Sequence, residues 1–159
     1  MAIGPKLWDE VSKAVGRRIC DVSENGVHEE VTFVGEITGF GRLKGIKGRT
    51  VGTDNYWEKI SGENVINGTA CGVLTLGKEL VGFKALGLGK LIKRSPLRPE
   101  DLVSLIWFPD PPPEFGWMRT TIVIWEAIVN PEKQMITASA YEWEGAAAAS
   151  SHATGREAE

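Results

Sequence analysis

Fifteen of the nineteen glycines lie between Gly16 and Gly89, threaded through short apolar and β-branched runs. A small, strongly curved antiparallel sheet needs this arrangement. Glycine relieves crowding at bulges, corners and tight turns, where a side chain clashes. A helical bundle does not tolerate it, since each interior glycine costs about 1 kcal/mol relative to alanine. With 159 residues the chain has room for one domain and a real core. The expected architecture is therefore mainly β: a closed antiparallel barrel of about eight strands. Closure removes edge strands and leaves an interior able to hold one small ligand. An open α+β cone is the alternative, and it requires more helix than the pattern offers.

Residues 1–16 are expected to form an N-terminal helix. Pro5 to Val15 places Leu7, Val11, Ala14 and Val15 on one helical face, and Gly16 is a plausible stop. From Arg17 the period changes to two, and the barrel spans residues 17–144. Arg17 to Val22 and His28 to Thr38 flank Asn25-Gly26, a strong hairpin signal. Further strands are expected at Gly41 to Val51, Tyr56 to Ile60, Val65 to Leu76 and Leu80 to Leu86, with Ser61 to Asn64 as a turn. Asn67-Gly68 reads as either a second turn or a bulge. Pro99-Glu100-Asp101-Leu102 reads as a helix start, Leu105 to Phe108 as a strand, and Pro111-Pro112-Pro113 as a rigid extended segment. Met118 to Val129 and Gln134 to Trp143 form a hairpin around Asn130-Pro131-Glu132-Lys133. Residues 145–159 are polar, without apolar period, and read as a disordered tail.

Composition narrows the function classes. A net charge of −3 argues against a dedicated nucleic-acid binder. No stretch has the length of a membrane span, and Met1-Ala2-Ile3-Gly4-Pro5 lacks a signal-peptide core, so a cytoplasmic location is expected. Cys20 and Cys71 are too few for a disulfide framework and read as buried thiols in a reducing compartment. The Asn67-Gly68-Thr69 sequon is then idle. No nucleotide-cradling loop, Cys-x-x-Cys pair or metal-ligand cluster is present, so neither a cofactor nor a metal is expected. His28, beside Glu29 and Glu30, reads as a solvated strand residue, and His152 lies in the tail.

The chemistry must come from ionisable groups set in apolar strands. Glu126 sits within Ile122 to Ile128, and if it points into the barrel, desolvation raises its pKa and suits it to proton transfer. The competing reading is a structural carboxylate paired with Arg119. Lys84, within Val81 to Leu86, either binds an anionic or carbonyl group inside or extends its amine to solvent. Glu36 shares a face with Thr32, Val34 and Thr38, the pattern of a solvent face. Tyr56, Trp57, Trp107, Phe108, Phe115, Trp117, Trp125, Tyr141 and Trp143 are many large rings for one small domain. Some are core, and others suit the wall of a ligand pocket. The basic run Lys84, Lys90, Lys93, Arg94 and Arg98 lacks the interleaved aromatics of a nucleic-acid groove and reads as a solvated stretch.

The order of landmarks from Gly39 to Trp143 carries a resemblance. Gly39-Phe40-Gly41-Arg42-Leu43-Lys44-Gly45 precedes Tyr56-Trp57, and Ala70 to Leu76 leads into Gly77-Lys78-Glu79. Pro113-Glu114-Phe115-Gly116-Trp117-Met118-Arg119 and Tyr141-Glu142-Trp143 follow. This order resembles a family of small bacterial and fungal proteins known only as a domain of unknown function. The resemblance implies a calycin-like or lipocalin-like β-barrel. Tyr56 stands where the family has an acid, and Lys78 where its turn is acidic, changes that fit a relative adapted to its own ligand.

The expectation is a cofactor-independent enzyme that binds a small hydrophobic oxygenated molecule in the barrel. It would promote cyclisation, isomerisation or elimination, and by analogy belong to secondary metabolism. Glu126 and Tyr141 are the candidate acid/base pair. Lys84 and Arg119 would orient a carbonyl or carboxylate, and Trp57, Trp107 and Trp117 would line the pocket. The alternative is a non-catalytic carrier on the same barrel, with an almost wholly apolar lining. The expected partner is the small molecule, without nucleic acid or membrane, and a homodimer is possible.

Overall fold

The computed structural model describes residues 3–24, 26–58, 65–91, 100–130 and 132–144. Eight antiparallel strands close into a barrel in chain order: β1 (Ile3–Ser23), β2 (Gly26–Gly39), β3 (Lys47–Glu58), β4 (Val65–Leu76), β5 (Glu79–Leu91), β6 (Glu100–Trp107), β7 (Val123–Asn130) and β8 (Met135–Trp143). Each strand pairs with its chain neighbours, and β8 returns to β1. The Asn25-Gly26 hairpin signal holds, with Ser23 opposite Gly26. At the β4–β5 hairpin Leu76 pairs with Glu79. That two-residue turn needs a positive φ at its first position, and Gly77 supplies it at 63°.

The N-terminal helix is not formed, and residues 5–15 belong to β1. Their apolar residues do recur at helical spacing, but Trp8, Glu10 and Ser12 are buried at a spacing of two. Trp8 also pairs with Gly39 on one side and Ala140 on the other, giving the backbone partners on both edges. A bulge between Lys6 and Trp8 turns both Leu7 and Trp8 inward. Gly16 marks a second bulge in β1 rather than a helix stop. Glu100 to Leu102 likewise open β6, not a helix.

Other boundaries also shift. β3 runs unbroken where two strands were expected, and Ile60 and the turn Ser61 to Asn64 fall outside the described residues. Gly68 lies mid-ladder in β4 opposite Tyr56, so Asn67-Gly68 is neither turn nor bulge. Pro113–Thr120 forms two 3₁₀ turns merged across Phe115, which delays β7 to Val123. The tail at 145–159 lies outside the described residues. Cys20 and Cys71 are exposed, not buried, because both occupy outward positions of their strands.

One end of the barrel is solid. Leu7, Trp8, Leu43, Leu76, Val81, Phe108, Met118 and Val123 are almost fully buried there. Leu43 comes from the 3₁₀ turn Gly41–Leu43, while Phe115 and Met118 descend from the Pro113–Thr120 segment. Each such side chain contributes about 1.5–3 kcal/mol through burial. This plug holds the strands in register beneath the site described next. Among the described residues no helix is long and apolar enough to cross a membrane.

Candidate functional site

Next to the plug, the barrel holds a cavity of about 100 Å³ that is partly open to solvent. One ordered water needs roughly 10–15 Å³, so a small organic molecule is admissible. Its apolar wall comes from Trp8, Phe33, Leu74, Phe83, Ile106 and Trp125, with Gly68 and Gly87 keeping space open. Its polar groups are Glu10 and Ser12 from β1, Thr50, Asp54 and Tyr56 from β3, and Ser104 from β6. The spacing of two along each strand directs them to one face.

Glu10 is the most buried carboxyl in this wall, at 5% exposure. Trp8 Nε1 donates to its Oε2 at 3.4 Å, and Trp125 Nε1, from β7, donates to the same oxygen at 3.2 Å. Ser12 Oγ donates to Oε1. Burial pushes the Glu10 carboxyl above its usual range, and the three donors oppose that rise. The result is a carboxyl fixed in position with its oxygens held at the cavity wall. Gly35 makes the arrangement possible, since a Cβ there would collide with Ser12, Thr50 and Glu10.

Asp54 is the second acid. Burial raises its pKa from 3.8 to about 6, and the backbone N–H of Asn55 only partly offsets this. A carboxyl with that value exchanges its proton near neutral pH, the condition for general acid–base work. Beside it, Tyr56 Oη donates to Glu29 Oε2 at 2.5 Å. Arg17 grips the buried Glu29 with two parallel donations, Nε to Oε2 at 2.7 Å and a terminal nitrogen to Oε1 at 2.6 Å. Burial and the Glu29 contact push the Tyr56 phenol well above its usual range, keeping it protonated.

None of the seven side chains singled out from sequence lines this cavity. Five lie on strands, one residue away from an inward neighbour. Glu126 is exposed, and Trp125 faces in. Tyr141 lies outside beside Lys6, while Ala140 is buried within. Trp57 is 40% exposed and stacks on His28 at 4.7 Å, and Tyr56 takes the interior. Lys84 is exposed between inward Phe83 and Ala85, and Trp107 is 41% exposed beside inward Ile106. The other two belong to the 3₁₀ segment at the plugged end. There Trp117 lies under the Arg42 guanidinium at 4.9 Å, and Arg119 pairs with Asp110 at 3.3 Å. Glu126 and Tyr141 do share an outer groove with Lys6, Asp9 and Ser139. Asp9 binds Lys6 Nζ and Ser139 Oγ there, each at 2.6 Å. Glu36 is exposed, as its face implied.

The residues missed from sequence are Glu10, Ser12, Asp54 and the inward role of Tyr56. Trp8-x-Glu10-x-Ser12 and Thr50-x-x-x-Asp54-x-Tyr56 keep the spacing of a strand face, and an acid inside each was the available signal.

No family model and no curated protein matches the chain. Solved structures share its fold at low identity. A β-barrel-like protein from Acinetobacter baumannii is 15% identical with a TM-score of 0.71, covering 89% of this chain and 94% of its own. A conserved protein of unknown function from Rhodopseudomonas palustris is 12% identical with a TM-score of 0.69, at coverages of 89% and 98%. An enzyme from Penicillium herquei is 12% identical with a TM-score of 0.60, at coverages of 89% and 96%. The chain is thus similar in fold to small β-barrel proteins, among them structures of unknown function and one enzyme.

Proposed function

We propose that the protein is a cofactor-independent acid–base catalyst. It takes a small, largely apolar, oxygenated substrate into the barrel and promotes cyclisation, isomerisation or elimination. The observation that carries this reading is Asp54, a carboxyl with a pKa of about 6 in the wall of an aromatic cavity. Asp54 gives and takes the proton, replacing Glu126 in that role. Glu10, held by three donors, is the second carboxyl and meets the opposite charge or proton developing on the substrate. The aromatic walls limit contact with water and hold the reacting atoms close.

The same fold houses an enzyme in Penicillium herquei, an analogy of fold and not of reaction. A carrier for an apolar ligand gains nothing from two carboxyls in its lining, since each opposes burial. The test is turnover of a panel of phenols, enones and hydroxyketones, each with and without an amino group, followed by NMR for isomerised or dehydrated products. Conversion by the wild type that Asp54→Asn abolishes, with the circular dichroism unchanged, supports the proposal. Conversion that survives in Asp54→Asn refutes it.

A further inference from the structure

We infer that the cavity selects cations: the oxygenated substrate it takes also carries a small amine, protonated at neutral pH, on its apolar or aromatic frame. This rests on the acid–base reading above and names what that site admits. The inference follows from the charges around the cavity. Every ionisable carboxyl or base among its described lining residues is an acid, Glu10 on β1 and Asp54 on β3. The described lining from β2 and from β4 to β8 contributes apolar side chains, glycines and the Ser104 hydroxyl. The Arg17 guanidinium, which interacts with the Tyr56 phenol, is forked onto Glu29 and so has its charge offset. Glu100, at the start of β6, adds further negative potential at Tyr56.

The walls suit the same ligand. Trp8, Trp125, Tyr56, Phe33 and Phe83 surround the space, and aromatic rings attract ammonium groups most strongly where water is excluded. A carboxylate ligand meets like charge and no base among the described lining residues. A neutral ligand leaves the Asp54 charge without a partner. A cation answers both, and its arrival relieves the desolvation that now holds the Asp54 carboxyl protonated up to about pH 6.

Benzylamine, benzyl alcohol and benzoate are matched probes of one shape and three charges. Binding is read at pH 7 from tryptophan fluorescence, because Trp8 and Trp125 line the cavity. The expected result is benzylammonium bound at least about ten-fold more tightly than the alcohol, with no saturable binding of benzoate. Lowering the pH from 7 to 5 protonates Asp54 and not the amine. It should weaken the amine about ten-fold and leave the alcohol unchanged. Asp54→Asn should remove the preference, and the pH series on the wild type provides the same test without a variant. Equal binding of amine and alcohol, tighter binding of benzoate, binding of none of the three, or a preference unchanged at pH 5 overturns the inference. The catalytic reading fails separately, on turnover that survives Asp54→Asn.

Discussion

Replacing Asp54 by Asn should stabilise the protein at neutral pH while removing its activity. The carboxyl titrates at 3.8 in an unstrained setting and at about 6 in the cavity. The folded state therefore holds the proton more tightly than the unfolded chain. Stability contributed by this group is complete below about pH 4 and is lost as the pH rises through about 6. The difference corresponds to about 3 kcal/mol at pH 7, at about 1.36 kcal/mol per pKa unit. An amide carries no charge to desolvate but must still place its own N–H groups, so a net gain of about 1–3 kcal/mol is expected. For a chain of this size that is a rise in Tm of roughly 2–12 °C. The assay is urea denaturation of wild type and variant at half-unit steps from pH 4 to pH 8. The two stabilities should converge at pH 4, separate up to about pH 6 and run parallel above it. A variant that is less stable at pH 7, or a gap that does not change with pH, refutes the reasoning. The variant would then show that Asp54 is compensated in the fold and not held ready for a ligand.

Other predictions test the remaining parts of the site. Gly35→Ala places a Cβ within 3.0 Å of Ser12, Thr50 and Glu10 atoms, and should lower stability by about 1–3 kcal/mol in urea denaturation while displacing the Glu10 carboxyl and reducing turnover at least about ten-fold. Trp125→Phe removes the donor 3.2 Å from Glu10 and leaves space in the wall, so its urea midpoint should fall by the equivalent of about 1–3 kcal/mol with an unchanged m-value. Glu126→Gln and Tyr141→Phe alter only the outer face, and turnover measured by NMR should stay within about two-fold of wild type.

Glycine spacing revealed the barrel because curvature is a backbone property, and glycine reports the backbone directly. Gly26 and Gly77 lie at the turns where the pattern put them. The face of each strand was harder to read, for a physical reason. Apolar residues usually mark the inner face, but this barrel sets polar residues and glycines among the apolar ones of its cavity wall and carries apolar residues outside. Leu86, Val103 and Leu105 are all exposed, while Gly87 and Ser104 on the same strands line the cavity. Alternation is therefore ambiguous along β5 and β6, and a one-residue slip exchanges the five strand candidates at once. That slip separates Glu126 from Trp125, Trp57 from Tyr56 and Trp107 from Ile106. β1 was obscured in the same way. Its inner face presents Trp8, Glu10 and Ser12, so the residues that build the site are the ones that erase its strand signature. Long-range contacts such as Trp125 to Glu10 span most of the chain and leave no local trace in it.

The account rests on a carboxyl inside the barrel tuned for proton exchange near neutral pH. The most direct measurement is a carbon NMR titration of protein labelled at the aspartate side-chain carboxyls, from pH 3 to pH 8. Asp54 should give a resonance, missing from the Asp54→Asn spectrum, with a midpoint near 6. A midpoint near 3.8 would contradict the account, because that carboxyl would behave as an ordinary surface acid with no part in proton transfer.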